Sequence, residues 1–146
     1  MYPSLELIDK AAKAFGGTGF GYGDVIPRAW FDEAFGLKKP EENIADMQAN
    51  QILYASMMGH LRSRLLAEKQ MALRVKPGFG QQVVWPADQT AWAMSEAKDT
   101  ISKALAKAQD RVENVNLSML NPEERRANAD ARAKLSFFGR NRLSEL

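Results

Sequence analysis

The side chains with most scope for chemistry crowd into one stretch. His60, Arg62, Ser63, Arg64, Lys69, Arg74 and Lys76 follow one another within 61–86 or at its edge, and that segment holds five Lys or Arg against one acid, Glu68. Cations at this density favour binding over catalysis and are compatible with a local polyanion contact, although the same side chains also suit a solvated helix face. The rest of the chain offers little else. There is no cysteine, which excludes disulfides, thiolate nucleophiles and Cys-based zinc sites, and His60 is the sole histidine, which excludes multi-His metal sites. His60 alone reads as a surface or hydrogen-bonded histidine. The carboxylate pairs Asp32-Glu33, Glu41-Glu42 and Glu123-Glu124 stand where helix starts and solvated linkers place acids. No enzyme chemistry and no cofactor or metal is therefore expected.

These residues need a helix and a hairpin to hold them. From Asn43 to about Lys69 the 3,4 spacing of Ile44, Met47, Gln51, Tyr54, Met58, Leu61 and Leu65 predicts a long helix, whose other face near its end carries Ser56, His60, Ser63 and Arg64. Met71, Leu73 and Val75 alternate with Ala72, Arg74 and Lys76, the period of a half-buried strand with a basic outer side. Pro77-Gly78-Phe79-Gly80 turns the chain, and Gln82 to Trp85 returns it as a second strand.

Before this core, Ser4 is an N-cap candidate for a short helix ending at Gly16-Gly17. Glycine at 16, 17, 19, 21 and 23 follows no phosphate-loop spacing, so the stretch reads as a turned loop bringing Phe20 and Tyr22 to the core. Asp24 to Leu37 predicts a supporting helix with Pro27 in its first turn, and Lys38-Lys39-Pro40-Glu41-Glu42 a polar connection. After it, Asp88 reads as an N-cap of a helix whose stripe of Ala91, Met94, Ala97, Ile101, Ala104, Leu105, Ala108, Val112 and Val115 is close to a heptad. That helix, 88–115, suits packing within the chain or homodimer formation. Asn121-Pro122-Glu123-Glu124 starts a C-terminal helix with a basic tail through Phe137 and Phe138. The organisation expected is one winged-helix-like domain over 1–115, followed by helix and tail over 116–146.

Over residues 24 to 86 the order of elements resembles the winged helix-turn-helix family, and RVKPGFGQQVV is similar to the wing hairpin of response-regulator DNA-binding domains. Gly78 and Gly80 stand at the glycines of that motif, and Gln81 where the family carries an aromatic. The fold class expected is mainly α with a two-stranded β-hairpin. The resemblance implies that the end of the long helix enters the major groove while the wing touches phosphates. On that pattern Ser63, Arg64 and His60 face bases; Arg62, Lys69, Arg74 and Lys76 face phosphates.

Two functions are compatible with this pattern. One is a DNA-binding regulatory or accessory protein contacting duplex DNA. The other is a non-catalytic protein-interaction module, such as a phage-type or mobile-element accessory factor docking on a host or replication protein through Met57, Phe79, Phe137 and Phe138. No run of apolar residues is long enough to span a bilayer, and the start of the chain lacks the basic and apolar segments of a secretory signal, so a cytoplasmic location without membrane contact is expected.

Overall fold

The computed structural model describes residues 4–37 and 44–146; the connection expected at 38–42, and Asn43, fall outside them. The described chain forms two compact units, 1–89 and 90–146, dividing within a helix where the sequence placed a boundary at 115.

The first unit is built in the order α1 (Leu5–Gly16), β1 (Val25–Pro27), α2 (Arg28–Ala34), α3 (Ile44–Lys69), β2 (Leu73–Lys76) and β3 (Gly80–Val83). Ser4 caps α1, its hydroxyl accepting from the Leu7 N–H at 3.2 Å. The three strands are antiparallel in the order β1-β3-β2. This connectivity, with the β2–β3 hairpin as wing, is winged-helix-like, and the architecture is mainly α, as expected.

The hairpin has a third strand that the sequence reading assigned to a helix. Val25, Ile26 and Pro27 pair with Gln82, Gln81 and Gly80, so α2 starts only at Arg28. Proline is tolerated there because β1 is an edge strand. The crossing is close. Gly80 has φ +141°, and a Cβ on it would collide with the Ile26 carbonyl oxygen. Glycine is thus demanded at position 80 by the backbone of β1 as well as by the turn.

Ile8, Ala11 and Phe15 of α1, Phe31 and Phe35 at α2, Met57, Met58, Leu61 and Leu65 of α3, and Ile26, Leu73 and Val83 of the sheet fill one core. Each fully buried large side chain contributes roughly 1.5–3 kcal/mol. Phe20 reaches it from the glycine-rich loop, its ring 5.7 Å from Phe15 and 5.4 Å from Trp30, the role expected of that loop. Met57, read as a surface residue, is fully buried and belongs to this core. The covered apolar face of α3 is also shorter than its spacing predicts. Ile44 and Met47 are exposed, and cover begins only near Leu53 and Tyr54.

The second unit is a helical hairpin. Helix α4 (Pro86–Glu113) runs into it from the first unit, and α5 (Pro122–Asn141) returns. α4 starts at Pro86, with Asp88 inside its first turn rather than at the cap. At α5 the sequence signals hold: Asn121 and Glu124 form a reciprocal capping box, with Pro122 at the first position. Asn128 donates to the Val112 carbonyl at 2.9 Å and Gln109 to the Leu135 carbonyl at 3.4 Å, tying the two helices antiparallel.

The two glycines of the wing separate experimentally. Gly80→Ala is expected to destabilise the protein by roughly 3 kcal/mol, through strain and the collision with β1. Gly78→Ala, with φ +81° and open space around it, is expected to cost about 1 kcal/mol. Urea denaturation measures both, and equal costs would mean that β1 does not cross at Gly80.

Candidate nucleic-acid interface

The alternation of β3 decides where the cations of α3 point. Gln81 and Val83 face inward, and Gln81 is the one described polar residue classed as buried, 5% exposed. A buried amide must be hydrogen-bonded. Arg62 answers it from α3, with Nη2 donating to Gln81 Oε1 at 2.6 Å, while Arg62 Nε is buried without a hydrogen-bond partner. Arg62 is therefore turned onto the sheet. Tyr54 completes the cluster. Burial pushes its phenol above the usual range, opposed by the Arg28 guanidinium, assisted by Asp32, and opposed again by Arg62 and a hydrogen bond with Gln81. Arg28 lies over the Tyr54 ring, 4.0 Å from its centroid.

The other flank of α3 is engaged as well. Arg64 binds Asp9 of α1 and donates from Nε to Glu68 at 2.9 Å. Lys69 lies where α1 ends: a side chain at Gly16 would meet its Nζ, which is 5.9 Å from the Phe15 ring. A cation at a helix C-terminus is favourably placed against the helix dipole. Of the seven residues singled out from sequence, Arg62, Arg64 and Lys69 thus make contacts inside the first unit.

The remaining four lie in two groups, in which His60, Ser63 and Lys76 are exposed while Arg74 is held within the unit as well. On α3, His60 and Ser63 are exposed together with Gly59, Leu66 and Ala67, and Gly59, Ser63 and Ala67 leave backbone there open to another surface. On the wing, Arg74 is half-buried, its Nε and Nη2 donating to Gln82 Oε1 at 3.1 and 2.9 Å. Gln82 in turn donates to the Gly23 carbonyl at 3.3 Å. Lys76 is exposed, its Nζ 5.9 Å from the ring of Phe79 at the hairpin tip. Phe79 itself is 67% exposed. Sequence reasoning missed Gln81 and Gln82, the two amides that position Arg62 and Arg74. Their alternation with Val83 was the available signal.

Among the described residues no group of three or more His, Cys, Asp or Glu is placed to hold a metal ion, and no helix is long and apolar enough to cross a membrane. Compared with protein-family models, with curated proteins and with solved structures, the chain matches none of them.

The Gln81 cluster predicts two outcomes. Gln81→Leu strands the guanidinium of Arg62 and is expected to cost roughly 2–3 kcal/mol, most of it recovered when Arg62→Met is added, because an apolar pair leaves nothing unsatisfied. Urea denaturation of the four chains in that cycle measures it, and additive losses would contradict the link. The folded state also keeps the Tyr54 phenol protonated beyond the pH at which the unfolded chain releases that proton. Its contribution to stability is intact below about pH 10 and is lost as pH rises through the raised folded value. Tyr54→Phe is therefore expected to flatten the alkaline limb of the stability profile relative to wild type.

Proposed function

We propose that this chain is a non-catalytic DNA-binding regulatory or accessory protein whose first unit contacts duplex DNA. The observation that carries this reading is the winged-helix connectivity with two solvent-facing groups on it, the His60–Ser63 face of α3 and the Arg74–Lys76 wing. In this reading α3 enters the major groove by the face of Gly59, His60, Ser63 and Ala67, where the small residues Gly59, Ser63 and Ala67 let the helix axis approach the base edges. His60 and Ser63 supply the hydrogen bonds there. Lys76 and Arg74 sit against phosphates, and the exposed ring of Phe79 lies against sugar or groove wall. Arg62, Arg64 and Lys69 act at one remove, holding α3 to the sheet and to α1.

One observation favours a second reading. Residues 1–89 carry ten Lys or Arg and ten Asp or Glu, so the unit has no net charge to draw it to a polyanion. Its wing instead exposes Val75 and Phe79, which suit a protein-interaction module docking on a larger protein.

Salt separates the two. With two or three phosphate contacts, affinity for a labelled duplex is expected to fall roughly 10- to 40-fold between about 50 and 200 mM salt, read by fluorescence anisotropy. Lys76→Ala is expected to weaken binding several-fold and to lower the salt slope by about 1. Arg64→Ala, whose partners are Asp9 and Glu68, leaves affinity within about threefold while lowering stability slightly. No binding at the lower salt would remove the DNA reading and favour a protein partner.

A further inference from the structure

Every residue from Val75 to Phe79 is exposed, and Val75, Pro77 and Phe79 among them are apolar. Phe79, 67% exposed, is neither in the core nor among the side chains packed against it. Its ring meets the Lys76 ammonium, with Nζ 5.9 Å from the centroid. The backbone beneath the ring is fixed on both sides. The Phe79 N–H donates to the Lys76 carbonyl at 3.0 Å, closing a turn with Pro77 and Gly78 at its centre, and Gly78 has the positive φ, +81°, of a type II turn. After the ring, Gly80 is held against the Ile26 carbonyl of β1. A ring carried on so fixed a tip has little freedom left to lose on binding.

What meets such a tip must offer negative charge and flat apolar surface together. Among the described residues neither Lys76 nor Arg74 is paired with a carboxylate. A duplex offers both, with phosphates along the rims of the minor groove and stacked base pairs at its floor. That groove is about 6 Å wide, too narrow for two strands about 4.8 Å apart with their side chains but open to the single ring at the tip. Phenylalanine carries no donor or acceptor with which to read a base edge. What the ring can do in the groove is displace water and part the stack.

We propose that Phe79 passes beyond the groove wall and enters the stack, as a wedge between neighbouring base pairs. This role rests on the DNA reading above and adds to it the shape of the bound duplex. Insertion from the minor groove kinks the duplex by roughly 20–90°. Pyrimidine–purine steps unstack most readily, so a TA or CA step under the tip is favoured although no side chain reads it. Burial of the ring and unstacking of the step oppose each other. The wedge therefore shapes the DNA more than it tightens binding.

Duplexes of about 20 base pairs with a central TA step test it with the full chain at about 50 mM salt. Donor and acceptor dyes at the ends read bending, 2-aminopurine at the step reads unstacking, and anisotropy reads binding. Energy transfer and 2-aminopurine fluorescence are expected to rise at saturation, with affinity several-fold above that for a central A-tract. Phe79→Ala abolishes both signals and the TA preference, while affinity for the A-tract duplex stays within about threefold and the salt slope is unchanged. Phe79→Leu, still an apolar wedge, retains the kink. Lys76→Ala lowers affinity and leaves the kink of the saturated complex. Binding without a kink, or signals that survive Phe79→Ala, would overturn the wedge and leave the DNA reading standing; no binding at this salt would remove both.

Discussion

Burial of the Gln81 amide in the middle strand is the constraint on which the first unit turns. Position 81 lies on the inner face of β3 by alternation, between Ile26 of β1 and Val75 of β2 in register. Its carbonyl oxygen takes Arg62 from α3. One hydrogen bond to a charged donor thereby fixes the rotation of the long helix against the sheet. With Arg62 committed inward, Met57, Met58, Leu61 and Leu65 fall onto the core, and His60 and Ser63 are what remains on the far side.

The same rotation explains how a segment with five cations presents so few to solvent. Arg64 turns to Asp9 and Lys69 to the end of α1, so they fasten helix to helix. Arg74 is flattened onto Gln82, and Lys76 extends near the wing tip. A charge count along the chain measures what is available to the fold and to a partner together. Only the partners within the fold divide the two. The interface proposed here is accordingly a light one, resting on shape and a few polar groups rather than on a dense positive field.

Much of the architecture was legible in the sequence because its signals are local. Ser4 capping α1, the Asn121-Pro122-Glu124 start of α5 and the turn at Pro77-Gly78 each act within a few residues, and each is found in place; a strand also forms over Leu73–Lys76, but the alternation does not hold, since Ala72 is buried and Val75 is exposed. What escaped is non-local. Val25-Ile26-Pro27 is too short to carry a period, and it becomes a strand only because β3, far along the chain, lies beside it. Met57 reads as flexible surface by type, yet it is fully buried in the core of the first unit. Ile44 and Met47 keep the spacing of a buried face with nothing upon it. Of the seven candidate site residues, sequence could place them on the right elements but could not say which were already engaged, since Asp9 and Gln81 lie remote in sequence from Arg64 and Arg62.

The central claim is that the solvent face of α3 and the wing together form the duplex-contacting surface. It is tested most directly by backbone amide NMR of the labelled protein titrated with unlabelled duplex at low salt. Shifts are expected to gather at Gly59, His60, Ser63 and Ala67 and at Arg74, Lys76 and Phe79, while the amide of Asp9, the α1 partner of Arg64, stays still. Shifts confined to residues 90–146, or none at saturating duplex, would contradict it.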